Sequence, residues 1–193
     1  MYQTISWDYY NFPAHFIKGW PWEKCSQRFN LGIAFAASSV PDPLEITLIP
    51  TDPLDKDMGP AMPDIFNASG LVLSERLHRT LVEFGVDNLD AYPAVLIDSA
   101  TKERFTGFFV VNVVGLIAAA DMEKSEYTVQ SGGPVIDVAF DNLVIDSAKA
   151  RGAFMFRLAE STMNVWLHPS LVKFIKAAGF PGLEFSDPSD VFA

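Results

Sequence analysis

The sequence predicts an α+β fold in which a mainly antiparallel sheet packs against two or more helices. Several strand-like runs follow one another in the middle of the chain, with one helix pattern before them and another after them. This order differs from the regular alternation of strand and helix that builds a doubly wound parallel sheet. The 193 residues, 49% of them hydrophobic, suffice for one ordinary domain or two closely packed small ones.

The N-terminal part is rich in aromatic residues and contains two predicted strands. The first 22 residues hold eight aromatic side chains: Tyr2, Trp7, Tyr9, Tyr10, Phe12, Phe16, Trp20 and Trp22. Such density indicates either a core filled by large side chains or a binding surface rich in Trp and Tyr, and we favour the core. Strand-like runs follow at residues 31–37 and 44–49.

A segment rich in Pro and Asp at residues 50–60 predicts a long exposed loop and marks an internal boundary. We therefore divide the chain into an N-terminal aromatic and strand subdomain, residues 1–59, and a second part, residues 60–193, which together form one compact unit. Residues 41–64 carry six acidic side chains against the single Lys56: Asp42, Glu45, Asp52, Asp55, Asp57 and Asp64. In the simpler interpretation this acidic face serves solubility, and in the other it mimics a phosphate chain and contacts a basic partner.

Two helices are predicted, one on each side of the strand-rich region. In the first, Ser74 is the N-cap, Leu77, Leu81 and Phe84 form one apolar face, and Gly85 ends the helix. The second repeats this design, with Pro169 at its first position, an apolar stripe and a closing glycine; the stripe and glycine are Leu171, Phe174, Ile175, Ala178 and Gly179.

A shift of 94 positions superimposes the two helix patterns. It aligns Leu77 with Leu171, Leu81 with Ile175, Gly85 with Gly179 and Leu89 with Leu183. The match indicates either a duplicated helix-turn-strand unit or two independent, well-formed helix ends.

Strands are predicted between the helices at residues 92–97, 105–114, 142–146 and 153–158. Asn112 and Arg157 interrupt two of these apolar runs, and both are costly to bury unless they are paired. We expect a structural ion pair or a hydrogen-bonded network, with Asp121 or Asp146 as the partner of Arg157. All four are interpreted as structural polar residues.

Charge, cysteine content and missing motifs exclude several classes of protein. The net charge of -10 makes nucleic acid an unfavourable partner and favours a basic one, while the single Cys25 rules out an intrachain disulfide or a thiolate zinc cluster. The N-terminus lacks the features of a signal peptide, and the most apolar stretch, residues 107–120, is short for a membrane span, so we expect a cytoplasmic protein. Because no zinc, acyl-transfer or phosphate-loop motif is present, we predict no catalytic residue, metal or cofactor.

A series of short motifs, taken in order, carries a family resemblance. The motifs are Met62-Pro63-Asp64-Ile65-Phe66, residues 73–77 with 85–88, Val111-Asn112-Val113, Asp121 with Ser125, residues 142–146 and 156–160, and the closing helix and turn at 171–182. Together they resemble the Imm11 family of bacterial immunity proteins over roughly residues 60–185. The resemblance implies a non-catalytic protein that binds and neutralises a cognate toxin of a bacterial polymorphic toxin system.

The candidate toxin contacts come from the acidic face and the aromatic segment: Asp52, Asp55, Asp57, Asp64, Trp20 and Trp22. Two other functions remain open on the sequence. A scaffold or secretion adaptor would expose Trp7, Trp20 and Trp22 for docking. A small enzyme would gather His15, His78, His168, Cys25 or the acids in one deep pocket.

Overall fold

The computed structural model describes residues 1–12, 14–21, 23–49, 62–68, 70–129 and 138–190. Within these ranges the chain forms two α-helices, thirteen strands and two short 3-10 turns. The helices are α1 (Glu75–Phe84) and α2 (Pro169–Ala177), and the 3-10 turns are Ala37–Ser39 and Pro188–Asp190. The strands are β1 (Gln3–Trp7), β2 (Phe16–Gly19), β3 (Leu44–Ile49), β4 (Ile65–Asn67), β5 (Leu71–Ser74), β6 (Leu89–Asp98), β7 (Arg104–Val113), β8 (Leu116–Ile117), β9 (Glu126–Val129), β10 (Val138–Asn142), β11 (Met155–Leu158), β12 (Val165–Leu167) and β13 (Leu183–Ser186).

These strands form three sheets. A six-stranded sheet has the order β2-β3-β6-β7-β5-β4, a five-stranded sheet has the order β13-β1-β12-β11-β8, and β9 pairs with β10. Neighbouring strands are antiparallel except for the parallel pairs β3–β6 and β8–β11. The predicted α+β fold with a mainly antiparallel sheet is therefore confirmed.

Helix α1 begins and ends where the sequence predicts. The Ser74 hydroxyl accepts a hydrogen bond from the Leu77 amide at 3.2 Å, which satisfies one of the free N–H groups of the first turn. At the other end Gly85 has a φ of 106°, and its amide donates to the carbonyls of Leu81 and Val82. A left-handed residue that returns bonds to the last turn is the common glycine ending of a helix.

Helix α2 has the same organisation with a different N-cap. Pro169 occupies the first turn as predicted, and the ring nitrogen Nδ1 of His168 accepts a hydrogen bond from the Ser170 amide at 3.2 Å. Gly179 follows the helix with a φ of 70°. The two helices pack against each other, and Arg76 of α1 donates to the carbonyl oxygen of Ala178 at 2.7 Å.

Each helix connects two parallel strands that flank a third strand. Strands β5 and β6 flank β7, and β12 and β13 flank β1; we call these groups the α1 unit (β5, α1, β6, β7) and the α2 unit (β12, α2, β13, β1). The registers correspond: Val110 lies opposite Val72 and Tyr92, while Thr4 lies opposite Trp166 and Ser186. The flanking residues again differ by 94 positions, so the structure extends the helix-turn-strand repeat to the strand pairing.

Two predicted strands are wrong. Residues 31–36 form no strand, because the carbonyls of Gly32 and Ile33 bond to the Gly115 amide and the Asn112 side chain instead of a neighbouring strand. Residues 143–146 also lie outside a strand, since the Val144 amide donates to the Ser125 hydroxyl at 2.9 Å. The actual strand, β10, ends at Asn142.

The core consists of three apolar clusters. The first lies between the helices and the two repeated units and contains Leu77, Leu81, Leu171 and Ile175. The second lies inside the six-stranded sheet around Phe29, and the third covers the outer side of the five-stranded sheet. Alternate residues of one strand enter different clusters, as the pleat of a strand requires.

The first 49 residues are built into both larger sheets. Strand β1 is central in the α2 unit, and β3 pairs with β6 of the α1 unit. Among the N-terminal aromatic side chains, Tyr2 and Trp7 are buried, whereas Tyr10 is 93% exposed. The aromatic segment thus contributes both to the core and to the surface.

Candidate functional site

The structure describes two of the predicted contact residues and gives both an internal role. Asp64 accepts a hydrogen bond from the Ser74 hydroxyl at 2.5 Å, and so supports the N-cap of α1. Trp20 is 9% exposed and packs edge-on against Phe29, with ring centroids 5.5 Å apart. Asp52, Asp55, Asp57 and Trp22 lie outside the described residues.

Another member of the acidic face is also bonded within the protein. Glu45 accepts hydrogen bonds from Arg104 at 2.9 Å and from Lys24 at 3.2 Å. Both bonds hold the pKa of Glu45 below its usual value, and the bond from Arg104 has the larger effect. Of the three described acids of this face, Asp42 is exposed, whereas Glu45 and Asp64 have partners.

Three of the predicted structural polar residues form hydrogen bonds or ion pairs within the protein. Asn112 is fully buried and donates to the Ile33 carbonyl at 2.8 Å. Asp121 pairs with Lys124 at 2.6 Å, and the hydrogen bond from that ammonium lowers the pKa of Asp121. The Asp146 carboxylate accepts a hydrogen bond from the backbone amide of Ala148 at 2.9 Å.

Arg157 is paired with carbonyl groups and with no carboxylate of a described residue. It is 2% exposed, and its Nη1 donates to the carbonyls of Thr162 at 2.8 Å and Met163 at 3.1 Å. The expected ion pair with Asp121 or Asp146 does not form, because the turn between β11 and β12 brings carbonyls to the guanidinium first. Burial lowers the pKa of Arg157 to about 10.

The histidines and the cysteine are dispersed. His15 and Asp98 form a buried pair with 3.7 Å between Nδ1 and Oδ2, whereas His168 caps α2 and Cys25 is buried near Gln27. His78 lies on α1, where burial lowers its pKa. Within the described ranges no three His, Cys, Asp or Glu side chains are grouped so that they could hold a metal ion.

The concave feature that best suits an interaction is a groove between the two edge strands of the six-stranded sheet. This sheet curls so that its first strand, β2, and its last strand, β4, line the same groove of about 560 Å³. Tyr9 and Phe16 form one wall, with their rings stacked 4.4 Å apart, and Trp20 and Phe66 also line it. We call this feature the edge groove.

The walls of the edge groove combine exposed and buried aromatic surface. Phe16 is 41% exposed, whereas Phe66 is 2% exposed and belongs to the core inside the sheet. Burial raises the pKa of the Tyr9 hydroxyl to about 12. Lys18 is the charged side chain among the described lining residues.

Local sequence patterns indicate only part of this groove. Phe16 and Tyr9 belong to the aromatic segment, and Phe66 belongs to one of the quoted motifs, but strand β2 itself was not predicted. Lys18 and Gly19 in a short strand are typical of a sheet edge, and this signal could have located it. That β2 and β4 face one groove depends on the curl of the sheet, which local patterns do not reveal.

The fold and the surface of the protein define its structural class. The chain is an α+β protein with an aromatic groove at a sheet edge, and the described histidines and cysteine do not line that groove. The protein belongs to the Imm11 immunity protein family, whose family model matches residues 23–190. No curated protein matches the sequence.

The family match covers more of the chain than the motifs indicated. It begins at residue 23, within the part for which the sequence offered no resemblance, and continues to the 3-10 turn near the C-terminus. Strand β3 and its pairing with β6 therefore belong to the matched region. Among the described residues, neither helix is long and apolar enough to cross a membrane.

Proposed function

We propose that this protein is a cytoplasmic immunity protein that binds the toxin of its own polymorphic toxin system and neutralises it without catalysis. Membership of the immunity protein family carries this proposal. The dispersed histidines, the buried Cys25 and the edge groove support a binding role over a chemical one.

The scaffold or secretion-adaptor alternative draws little support from the described residues. It requires exposed tryptophans, but Trp7 is 7% exposed and Trp20 is 9% exposed. Trp22 lies outside the described ranges. The aromatic surface that the described N-terminal residues expose includes Tyr10, Phe12 and Phe16, and Phe16 forms a wall of the edge groove with Tyr9.

We propose two contact regions for the toxin. One is the acidic segment with Asp52, Asp55 and Asp57, which would attract a basic toxin surface and speed association. The other is the edge groove, whose exposed Phe16 offers the kind of aromatic surface that carries binding energy.

The function is tested by co-expression with the toxin encoded beside the gene. Cells that express the toxin alone should stop growing, and co-expression of this protein should restore growth and yield a one-to-one complex. The proposal would be contradicted if this protein rescued cells from none of the toxins encoded beside its gene and the purified protein turned over a small substrate.

Charge reversal tests the acidic contact region separately. Replacing Asp52, Asp55 and Asp57 by lysine should slow association with the toxin and flatten its dependence on salt, because the attraction between the two surfaces is screened by ions. Stopped-flow or biosensor kinetics at several salt concentrations measure both effects. Unchanged kinetics would assign the contact to the edge groove alone.

A further inference from the structure

The edge groove is bounded on two sides by the edges of β2 and β4, which pair with no further described strand. Strand β4 also packs against β1, where the Asn67 side chain donates to the Ile5 carbonyl at 3.1 Å. Among the described strands, β2 pairs only with β3, and β4 pairs only with β5. Beyond these ladders, neither strand makes a backbone hydrogen bond to another described residue. Within the described part of the chain, each edge therefore presents N–H and C=O groups that an added strand would satisfy.

The form of the groove selects an extended peptide as its occupant. Strand β2 is four residues long and β4 is three, which at about 3.3 Å per residue gives edges roughly 10–13 Å long. A helix satisfies its own backbone groups and would leave both edges unpaired. An extended segment of about four residues would bond to β2 on one side and to β4 on the other.

The side chains of the groove restrict the sequence of this occupant. Alternate side chains of an inserted strand would face the inner wall formed by Trp20 and Phe66, which favours apolar residues there. On the outer side, Lys18 is exposed and forms no ion pair with a described carboxylate. A carboxylate on the occupant would complement this charge.

We propose that an extended segment of the cognate toxin, with a carboxylate side chain opposite Lys18, inserts as a strand between β2 and β4 and closes the curled sheet. This inference rests on the proposed function and specifies how the toxin is held. Backbone pairing supplies part of the affinity, while the inner wall and Lys18 supply the specificity.

Amide hydrogen exchange on the free protein and on the purified complex tests the insertion directly. The outward-facing amides of Phe16–Gly19 and of Ile65–Asn67 should exchange at least about tenfold more slowly in the complex, since both edges gain hydrogen bonds. Protection of one edge alone, of neither edge, or only of residues 50–61 would overturn the inserted strand. Protection that rises with the concentration of the free protein would identify a second copy as the occupant and would also overturn it.

A charge substitution gives an independent test with a matched control. Lys18→Glu should weaken toxin binding about tenfold at low salt, whereas Lys173→Glu, the same change on the exposed side of α2, should leave binding within about twofold. Equal effects of the two variants would overturn the role of Lys18. Circular dichroism of both variants checks that each one is folded.

The result of co-expression separates this inference from the proposed function. Rescue and a one-to-one complex without protection of the two edges would remove the inserted strand and leave the immunity function in place. Absence of a complex would remove the proposed function and this inference with it.

Discussion

The α1 unit and the α2 unit share one local design but differ in how the rest of the chain is attached to them. In both, a helix joins two parallel strands and a third strand lies between them in the same register. The central strand of the α1 unit, β7, follows β6 in the sequence. The central strand of the α2 unit, β1, comes from the N-terminal part of the chain. The design therefore does not depend on the direction from which the central strand arrives.

The strands added to the two units differ in what they form. The α2 unit is extended by β11, which contains the buried Arg157, and by β8. The α1 unit is extended by β2, β3 and β4, and this extension creates the edge groove. We infer that the repeated units supply the shared core, and that the strands added to the α1 unit supply the binding surface.

The largest expected effect concerns the core that the two units share. Leu77→Ala and Leu171→Ala alter matched positions of α1 and α2, which are 1% and 0% exposed. Each should lower the free energy of unfolding by about 2–5 kcal/mol, because each leaves a cavity in the same cluster. Urea unfolding followed by fluorescence and circular dichroism should show one cooperative transition for both variants; separate transitions for the two units would break the comparison.

The next largest effect should appear in binding and in only one of the two units. Phe16→Ala removes an exposed wall of the edge groove and should weaken toxin binding by about 30-fold, or ~2 kcal/mol. Phe174→Ala, at a similarly exposed phenylalanine of α2, should change binding by no more than about twofold. Calorimetric titration measures both, and an equal loss would show that binding is not confined to the extension of the α1 unit.

A smaller effect should distinguish the ends of the two helices. Gly85→Ala and Gly179→Ala place a side chain on left-handed backbone, at φ of 106° and 70°, where no close contact interferes. Each should cost about 1–2 kcal/mol, and Gly85→Ala more, because its φ lies farther from the left-handed region near +57°. Gly19→Ala is the control, since an added Cβ meets nothing there and its φ is not positive. A similar loss of stability in the control would show that backbone strain is not the cause.

The smallest expected effect is a pH dependence of stability that arises from Asp98 in the six-stranded sheet of the α1 unit. Asp98, at the end of β6, accepts hydrogen bonds from the amides of Thr101 and Ala100; the Thr101 bond contributes most to its lowered pKa, and nearby His15 adds to it. A lowered pKa stabilises the fold above the ordinary aspartate value near 3.9, and this stability is lost as the pH falls through the pKa of the folded state. The Asp98→Asn variant should be less stable than the unaltered protein at neutral pH. Its free energy of unfolding should also fall less between about pH 5 and 3. If the free energy of unfolding depended on pH in the same way in the unaltered protein and in the Asp98→Asn variant, the effect could not be assigned to Asp98.

Local signals in the sequence were sufficient for the helices and for four of the described strands, β3, β6, β7 and β11. Ser74, Gly85 and Pro169 located the helix ends because caps depend on neighbouring backbone groups. Residues 31–36 looked equally strand-like, but their carbonyls bond to residues near position 115, which no local pattern reveals. The shift of 94 positions indicated either a repeat or two independent helix ends, and it did not identify β1 and β7 as the strands that lie between the repeated ones.

The candidate site was less predictable than the fold. Counting acidic residues suggested Asp64 as a contact, although the structure uses it to support the cap of α1. Aromatic density pointed to the N-terminal segment but did not separate the buried Trp20 from the exposed Phe16. That separation follows from the pairing of β2 and from the curl of the sheet, both of which are set by contacts between distant parts of the chain.

The central claim, neutralisation by binding, is tested most directly by the stoichiometry of inhibition. Purified toxin at a fixed concentration, well above the dissociation constant, is mixed with increasing amounts of this protein, and the remaining toxin activity is measured. The account predicts a linear fall to zero at one equivalent. Complete inactivation by far less than one equivalent, which would indicate catalysis, or full toxin activity at several equivalents would contradict it.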